Sequence, residues 1–316
     1  MGHQSRSRNI GLVRRLALLS TGLLLACPGP ISPPDAGRPP VDAGPPRVVD
    51  GGTVGPAQWG VIELTQRART TGSRTTFSAR VQASFLEVAA GTPNPCVERT
   101  EGACVVRVCN LDGAVQGIAR RAGALTLEGA LLVDGPDGGL DGGRDAGLDA
   151  GSTLPMDDGG VLTLVPTDAG AFAAVNARLF TSGQTLSLRA GGDEVPPFVS
   201  PPLSAPSQVT VRFPRCGTTC PVVSRELPLR VEWTDAPVGD VLVELVGRQV
   251  SARCRSIGLE ERFELAPEVL REFPPTVEPG DATLIVSGVS TVSFDAGTWD
   301  ITLTASTPTF VPLTLE

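Results

Sequence analysis

The stretch "TFSARVQASFLEV", Thr76 to Val88, decides the fold. Apolar residues stand two apart at Phe77, Ala79, Val81, Ala83 and Phe85, with Ser78, Arg80, Gln82 and Ser84 between them. Successive side chains of a strand point to opposite sides, so this rhythm reads as a strand with one buried face. The same period recurs in "VIELTQ" (61–66), "CVVRVCNL" (104–111), "ALTLEGALLV" (124–133), "VLTLVP" (161–166) and "TLSLRA" (185–190). Prolines then cluster in "VPPFVSPPLSAPS" (195–207), which reads as a boundary.

A second strand series follows: "VTVRF", "LPLRVEW", "DVLVELV", "VSARCRS", "RFELA", "TLIVSG", "TWDITLTA" and "FVPLTLE". Only "APEVLREF", Ala266 to Phe273, has helical character, and it allows two turns at most. Long amphipathic helices are missing, which argues against an α/β fold. The expected class is all-β, with one β-sandwich over 58–200 and a second, Ig-like one over 201–316. Trp233, thirteen residues after Cys220, suggests the Ig-like architecture. Cys254 follows it too soon for a true immunoglobulin domain, and the chain has no tyrosine for a tyrosine corner.

Every basic residue is arginine, 26 in all, and the only histidine is His3. Residues 27–316 carry 22 arginines against 34 acids, a formal charge of −12. Such a chain repels phosphate backbones, so no nucleic-acid partner is expected.

Residues 1–26 have a basic start (Arg6, Arg8, Arg14, Arg15) and a short apolar run, Leu16 to Ala26. That run is too short to span a bilayer as a helix and reads as a signal peptide. It ends in "LLAC", Leu24 to Cys27, which resembles the lipobox of bacterial lipoproteins. The resemblance implies that Cys27 becomes the first mature residue and carries the acyl chains. "RRLAL" is faintly like a twin-arginine signal, but Val13 stands where Ser or Thr is usual, so general secretion is expected. Pro28 stands where an Asp would resemble an inner-membrane retention signal, so the resemblance implies the outer membrane. The protein would be lipid-anchored there, facing the periplasm or the cell surface.

Nine of the thirty residues 28–57 are proline. Residues 27–57 therefore read as a lipidated cysteine and an extended tether, about 90 Å long at full polyproline extension. The chain also resembles uncharacterised β-rich lipoproteins of high-GC Gram-negative bacteria. The features that carry this are the "DAG" units at Asp35 and Asp42, "CVERTEGACVVRVC", "AGALTLEG" and "LPLRVEWTDAPVGDVLVELV". The resemblance implies export and fold, and nothing about chemistry.

Between 134 and 160 lies "DGPDGGLDGGRDAGLDAGSTLPMDDGG". Its aspartates Asp134, Asp137, Asp141, Asp145 and Asp149 never stand two apart, and no glutamate occurs between Leu131 and Gly192. An EF-hand loop needs ligands at positions 1, 3, 5 and 12. The segment therefore reads as a solvated insert, with weak calcium binding by clustered carboxylates as the alternative.

Six cysteines remain besides Cys27: Cys96, Cys104, Cys109, Cys216, Cys220 and Cys254. An even set in an exported chain reads as three disulfides. Cys104 and Cys109 share one strand, about 17 Å apart and on opposite faces, and cannot pair. With Cys96 placed in the preceding loop, the expected bonds are Cys96–Cys104, Cys216–Cys220 and Cys109–Cys254. C-x-x-C spacing is missing, so no metal and no cofactor is expected.

After residue 26 there is no histidine, lysine or tyrosine. That removes histidine-based triads, imidazole bases, Schiff-base lysines and tyrosine acids. Two carboxylates suffice for a glycosidase, but the adjacent pairs Glu260/Glu261 and Asp157/Asp158 read as loop charges. No catalytic residue is assigned, and the chain is expected not to be an enzyme. A glycan partner would need an exposed aromatic ring. Trp233 and Trp299 read as core, which leaves Trp59 as the candidate platform. The leading expectation is an envelope lipoprotein with a structural, adhesive or protein-binding role. The alternatives are a glycan-binding module and, behind it, a carboxylate-dependent hydrolase.

Overall fold

Alternation becomes strand throughout the computed structural model. It describes residues 53–316 except 55–56, 72, 91, 94, 110–116, 131–155, 158–160, 165–170, 176, 218, 235, 237, 258 and 277–279. In chain order the longer strands begin with β1 (Ala57–Thr71), β2 (Arg74–Val88), β3 (Cys96–Glu101), β4 (Cys104–Cys109) and β5 (Leu125–Glu128). Next come β6 (Val161–Leu164), β7 (Ala171–Val175), β8 (Thr185–Ala190), β9 (Thr210–Phe213) and β10 (Leu229–Thr234). The last are β11 (Asp240–Val246), β12 (Val250–Ile257), β13 (Arg262–Leu265), β14 (Ala282–Ala296) and β15 (Trp299–Leu315). One short helix, α1 (Pro267–Arg271), starts on its proline and buries Val269 and Leu270.

Eleven strands form one large sheet, whose main path runs β7-β2-β1-β15-β14-β11-β12-β4-β3. A six-stranded sheet is built around β8, β5 and β6, and a three-stranded sheet is β9-β10-β13. Both small sheets cover the same face of the large one. β14 and β15 pair without a register shift from Ala282↔Leu313 to Ala296↔Trp299. Along β15, the odd residues Trp299, Ile301, Leu303 and Ala305 enter one core with Leu125, Leu127, Leu162, Leu164, Leu186 and Leu188. Further along, Val311, Leu313 and Leu315, still odd, enter a second core with Val231, Trp233, Val243 and Leu265. Each fully buried leucine stabilises the fold by roughly 1.5–3 kcal/mol.

The architecture is therefore sandwich-like twice over, but the two sandwiches share a sheet. This differs from the expected division at 200/201. The facing layer does change there, because Leu203–Ser204 still pairs with β8 and β9 begins at Thr210. The large sheet ignores the boundary: β1 lies parallel to β15, and β4 lies antiparallel to β12. The physical reason is the length of β14 and β15, at 15 and 17 residues, enough to run beneath both small sheets.

Candidate functional site

Cys27, the signal peptide and nearly all of the tether lie outside the described residues, as does the 134–160 insert apart from Met156–Asp157. The strands on either side of that insert meet, since Val161 and Glu128 are register partners on neighbouring antiparallel strands.

The disulfides correct two of the three expected bonds. Cys96 is joined to Cys109, and Cys104 to Cys254, while Cys216 closes on Cys220 as expected. Cys96 does not sit in a loop. It opens β3, which pairs with β4 so that Cys96 faces Cys109 and Glu101 faces Cys104. The two-residue turn between them starts with Gly102 at φ +61°, a conformation that glycine adopts without strain. Cys104 in turn is the register partner of Cys254 on β12, and both point into the second core. Cys104 and Cys109 do sit on opposite faces, and each finds its partner on a different neighbouring strand.

Trp233 and Trp299 are core residues as read. Trp59 is not a platform: it is 7% exposed, so the ring proposed for sugar stacking is covered. Glu260 accepts a hydrogen bond from the Ser256 hydroxyl at 3.0 Å, and Glu261 lies 3.9 Å from Arg212. These two carboxylates are held apart by separate partners. Asp157 forms part of a two-residue edge strand, and Asp158 lies outside the described residues.

The face of the large sheet turned away from the two cores gathers polar chemistry in register. On its β3–β14 half, arginine is matched with acid. Arg253 donates to Glu244 at 2.8 Å, Arg255 lies 3.2 Å from Asp240, and Arg107 lies 3.6 Å from Glu98. The Arg253 side chain keeps 43% exposure in a crowded setting. Burial works against its charge, but Glu244, through charge and hydrogen bond, and then Glu63 and Glu98 outweigh it and raise its pKa. In the middle of the face, hydroxyls pair across strands at Thr291–Thr304, Ser293–Thr302 and Thr65–Ser306, all at 3.2–3.3 Å.

On the β1–β2 side the same face changes character. The pairs Thr65↔Arg80, Arg67↔Ser78, Arg69↔Thr76 and Thr71↔Arg74 put four arginines on one side, interleaved with hydroxyls. No acid occurs between Glu63 and Glu87. The signal was present in the sequence, but only the register shows that all four share a face.

A cavity of about 380 Å³ is lined by Gly247, Phe273, Pro275 and Leu315, with Arg248 and Asp281 paired at 3.8 Å. Among the described residues no group of three or more His, Cys, Asp or Glu side chains is placed to hold a metal ion. No described helix is long and apolar enough to cross a membrane. No family model and no curated protein matches this chain. What the geometry offers is an extended polar face suited to contact.

Proposed function

We propose that the chain is an exported lipoprotein, acylated at Cys27 and held on the outer membrane, whose β-body is a non-enzymatic contact module for envelope components. Cysteine accounting carries this reading. Six of the seven cysteines pair with one another, which suits an oxidising compartment. The seventh, Cys27, ends a leader with a basic start and an apolar run. The contact role is supported by the broad polar face, and the non-enzymatic role by a mature sequence without histidine, lysine or tyrosine.

The test is metabolic labelling with a fatty-acid analogue, followed by membrane separation. Wild type should label and travel with the outer membrane, and Cys27→Ser should do neither. Equal labelling of both would remove the anchor from the proposal.

A further inference from the structure

We propose that the uncovered face of the β1–β2 ribbon is a docking surface for an anionic, phosphate-bearing lipid surface. Two observations carry this. The first is charge that is left unmatched. Arg67, Arg69 and Arg80 are exposed on one face, and among the described residues none of them forms an ion pair. Elsewhere on this face the arginines at 107, 253 and 255 each have a carboxylate. The chain has a formal charge of −8, yet its sequence holds no acid between Glu63 and Glu87, the span that forms the ribbon. Crowding like charges is unfavourable by itself. Partial burial and then the charge of Arg80 hold the Arg67 pKa below its ordinary value. Such an arrangement is relieved by an anion from outside.

The second observation is shape. The parallel pairing of β1 with β15 ends at Thr65↔Ser306, and β7 pairs with β2 only between Ala79 and Gln82. Beyond these points β1 and β2 continue together as a two-stranded ribbon to Thr71↔Arg74. Its root is fixed by Arg67, 4.1 Å above the Phe310 ring, and its tip by the Thr70–Thr75 hydroxyl pair at 3.0 Å. From Thr65 to Thr71 the face is about 20 Å long, and side chains two apart on one strand stand about 7 Å from each other. Apart from Phe310 beneath Arg67 at its root, it carries no aromatic or large apolar residue. It suits many phosphates spread over a surface better than one small molecule, and it suits headgroups better than acyl tails. Guanidinium forks bind phosphate oxygens in pairs, and the neighbouring Ser78 hydroxyl is a further donor.

The choice of a lipid surface rests on the anchoring proposed above. Residues 28–52 lie between Cys27 and the Thr53–Val54 strand, a contour of about 78 Å. The ribbon tip stands about 46 Å along β1 from Ala57, so the tether is long enough for the ribbon to reach back to the bilayer.

The test uses the full chain with vesicles of phosphatidylcholine, alone or mixed with phosphatidylglycerol, and follows tryptic cleavage after Arg69 and Arg74. Any N-terminal attachment acts on both vesicle types alike, so a difference reports headgroup charge. Each arginine near an anionic surface strengthens attachment about fivefold. The Arg67→Gln/Arg80→Gln variant keeps both cleavage sites and should need on the order of 25-fold more anionic lipid for half-protection. High salt should abolish protection of the wild type. Equal protection on neutral vesicles would overturn the proposal. So would protection by inorganic phosphate at matched phosphate concentration, which would indicate a free-anion site. Protection that appears without lipid as protein concentration rises would assign the face to a second copy and also overturn it. An unchanged cleavage pattern outside 67–80 verifies that the variant is folded. Labelling at Cys27 is read separately, so failure of the anchor and failure of the ribbon give different results.

Discussion

The Thr307 hydroxyl donates to the Ser207 carbonyl at 2.7 Å, where the chain crosses from one small sheet to the other. Thr307 is the register partner of Gly288 on β14. Ser207 also accepts from the Val238 amide at 3.0 Å through its own hydroxyl, and that hydroxyl meets Ser182 at 2.9 Å. The crossing segment is thus pinned to the midpoint of the long β14–β15 hairpin, between the two cores.

Gly288→Ala should destabilise the protein by roughly 1–3 kcal/mol or more, as overpacking does. A Cβ at 288 would press into the Ser207 carbonyl oxygen and come within 2.9 Å of the Thr307 hydroxyl. Thr307→Val keeps the shape but leaves that carbonyl short of a donor, at a cost of about 1–3 kcal/mol. Urea denaturation measures both. Because the hairpin is common to both cores, each variant should shift a single transition. A Gly288→Ala protein with an unchanged midpoint would show that the crossing is loosely packed.

The disulfides should contribute unequally. Cys104–Cys254 closes 150 residues, and Cys96–Cys109 closes 13. Chain-entropy estimates give about 5 and about 3 kcal/mol. Replacing Cys104 and Cys254 with alanine should therefore lower the melting temperature more than replacing Cys96 and Cys109. Unreduced peptide mapping should yield a fragment linking Cys104 to Cys254. A Cys109–Cys254 fragment would contradict the β4–β12 register.

Much of the fold was legible because alternation has no cheap alternative to strand. "DVLVELV" and "VSARCRS" became β11 and β12 almost residue for residue. The helix at Pro267–Arg271 and the core tryptophans 233 and 299 were legible for the same local reasons. "TWDITLTA" and "FVPLTLE" were read as two strands, yet they are one that runs through Pro308 and Pro312. The Leu313 carbonyl accepts from Gly280 on the β14 side, while the Thr314 amide donates to Pro221 on the other. Pro312 shares the parity of Thr314, so its missing N–H faces the side away from β14. Between Ser306 and Thr314 no described strand pairs on that side. Proline is tolerated there because no ladder bond is lost.

Sheet order was not legible, because it depends on contacts as distant in sequence as Thr65 with Ser306. The Cys96 pairing was missed for a local reason. Cys96 was placed in a loop before the strand, whereas Gly102 turns a hairpin that starts at Cys96 itself. The basic face was hidden in another way. Its arginines are spaced 2, 5 and 6 apart, and share a side only because the Thr71↔Arg74 pairing sets the β2 phase.

Acid should loosen the Arg120–Arg121 corner. Glu194 accepts from the Arg121 amide at 3.0 Å and from Arg120 at 3.1 Å, and these hold its carboxyl below the ordinary glutamate value. Arg120 also grips Glu87 on β2 at 2.8 Å. A carboxylate with a depressed folded pKa adds stability that is fully present above its unfolded value, roughly pH 4.3. That stability is lost as pH falls through the lower folded value. The melting-temperature gap between wild type and Glu194→Gln should therefore be constant at neutral pH and close in acid. A gap that widens in acid would mean that Glu194 is held protonated.

The Asp-Gly insert should be removable. Its flanking strands, β5 and β6, meet at Glu128↔Val161, so the sheet holds them together whatever lies between them. Lengthening such a loop adds closure entropy only slowly, about 0.6 kcal/mol per doubling. Met156–Asp157 pairs with Val161 and Leu162 as an edge and should be kept. Replacing residues 135–155 with a short Gly-Ser segment should leave the melting temperature within a few degrees of wild type. Calcium is the sharper question. The five aspartates stand at spacings of 3, 4, 4 and 4, which matches neither the alternate ligands of an EF-hand nor a nine-residue calcium repeat. Like charges in glycine-rich sequence repel and stay hydrated, so millimolar calcium should leave the melting curve of the intact protein in place. A rise of several degrees that vanishes when 135–155 are removed would show that these aspartates converge on the ion after all.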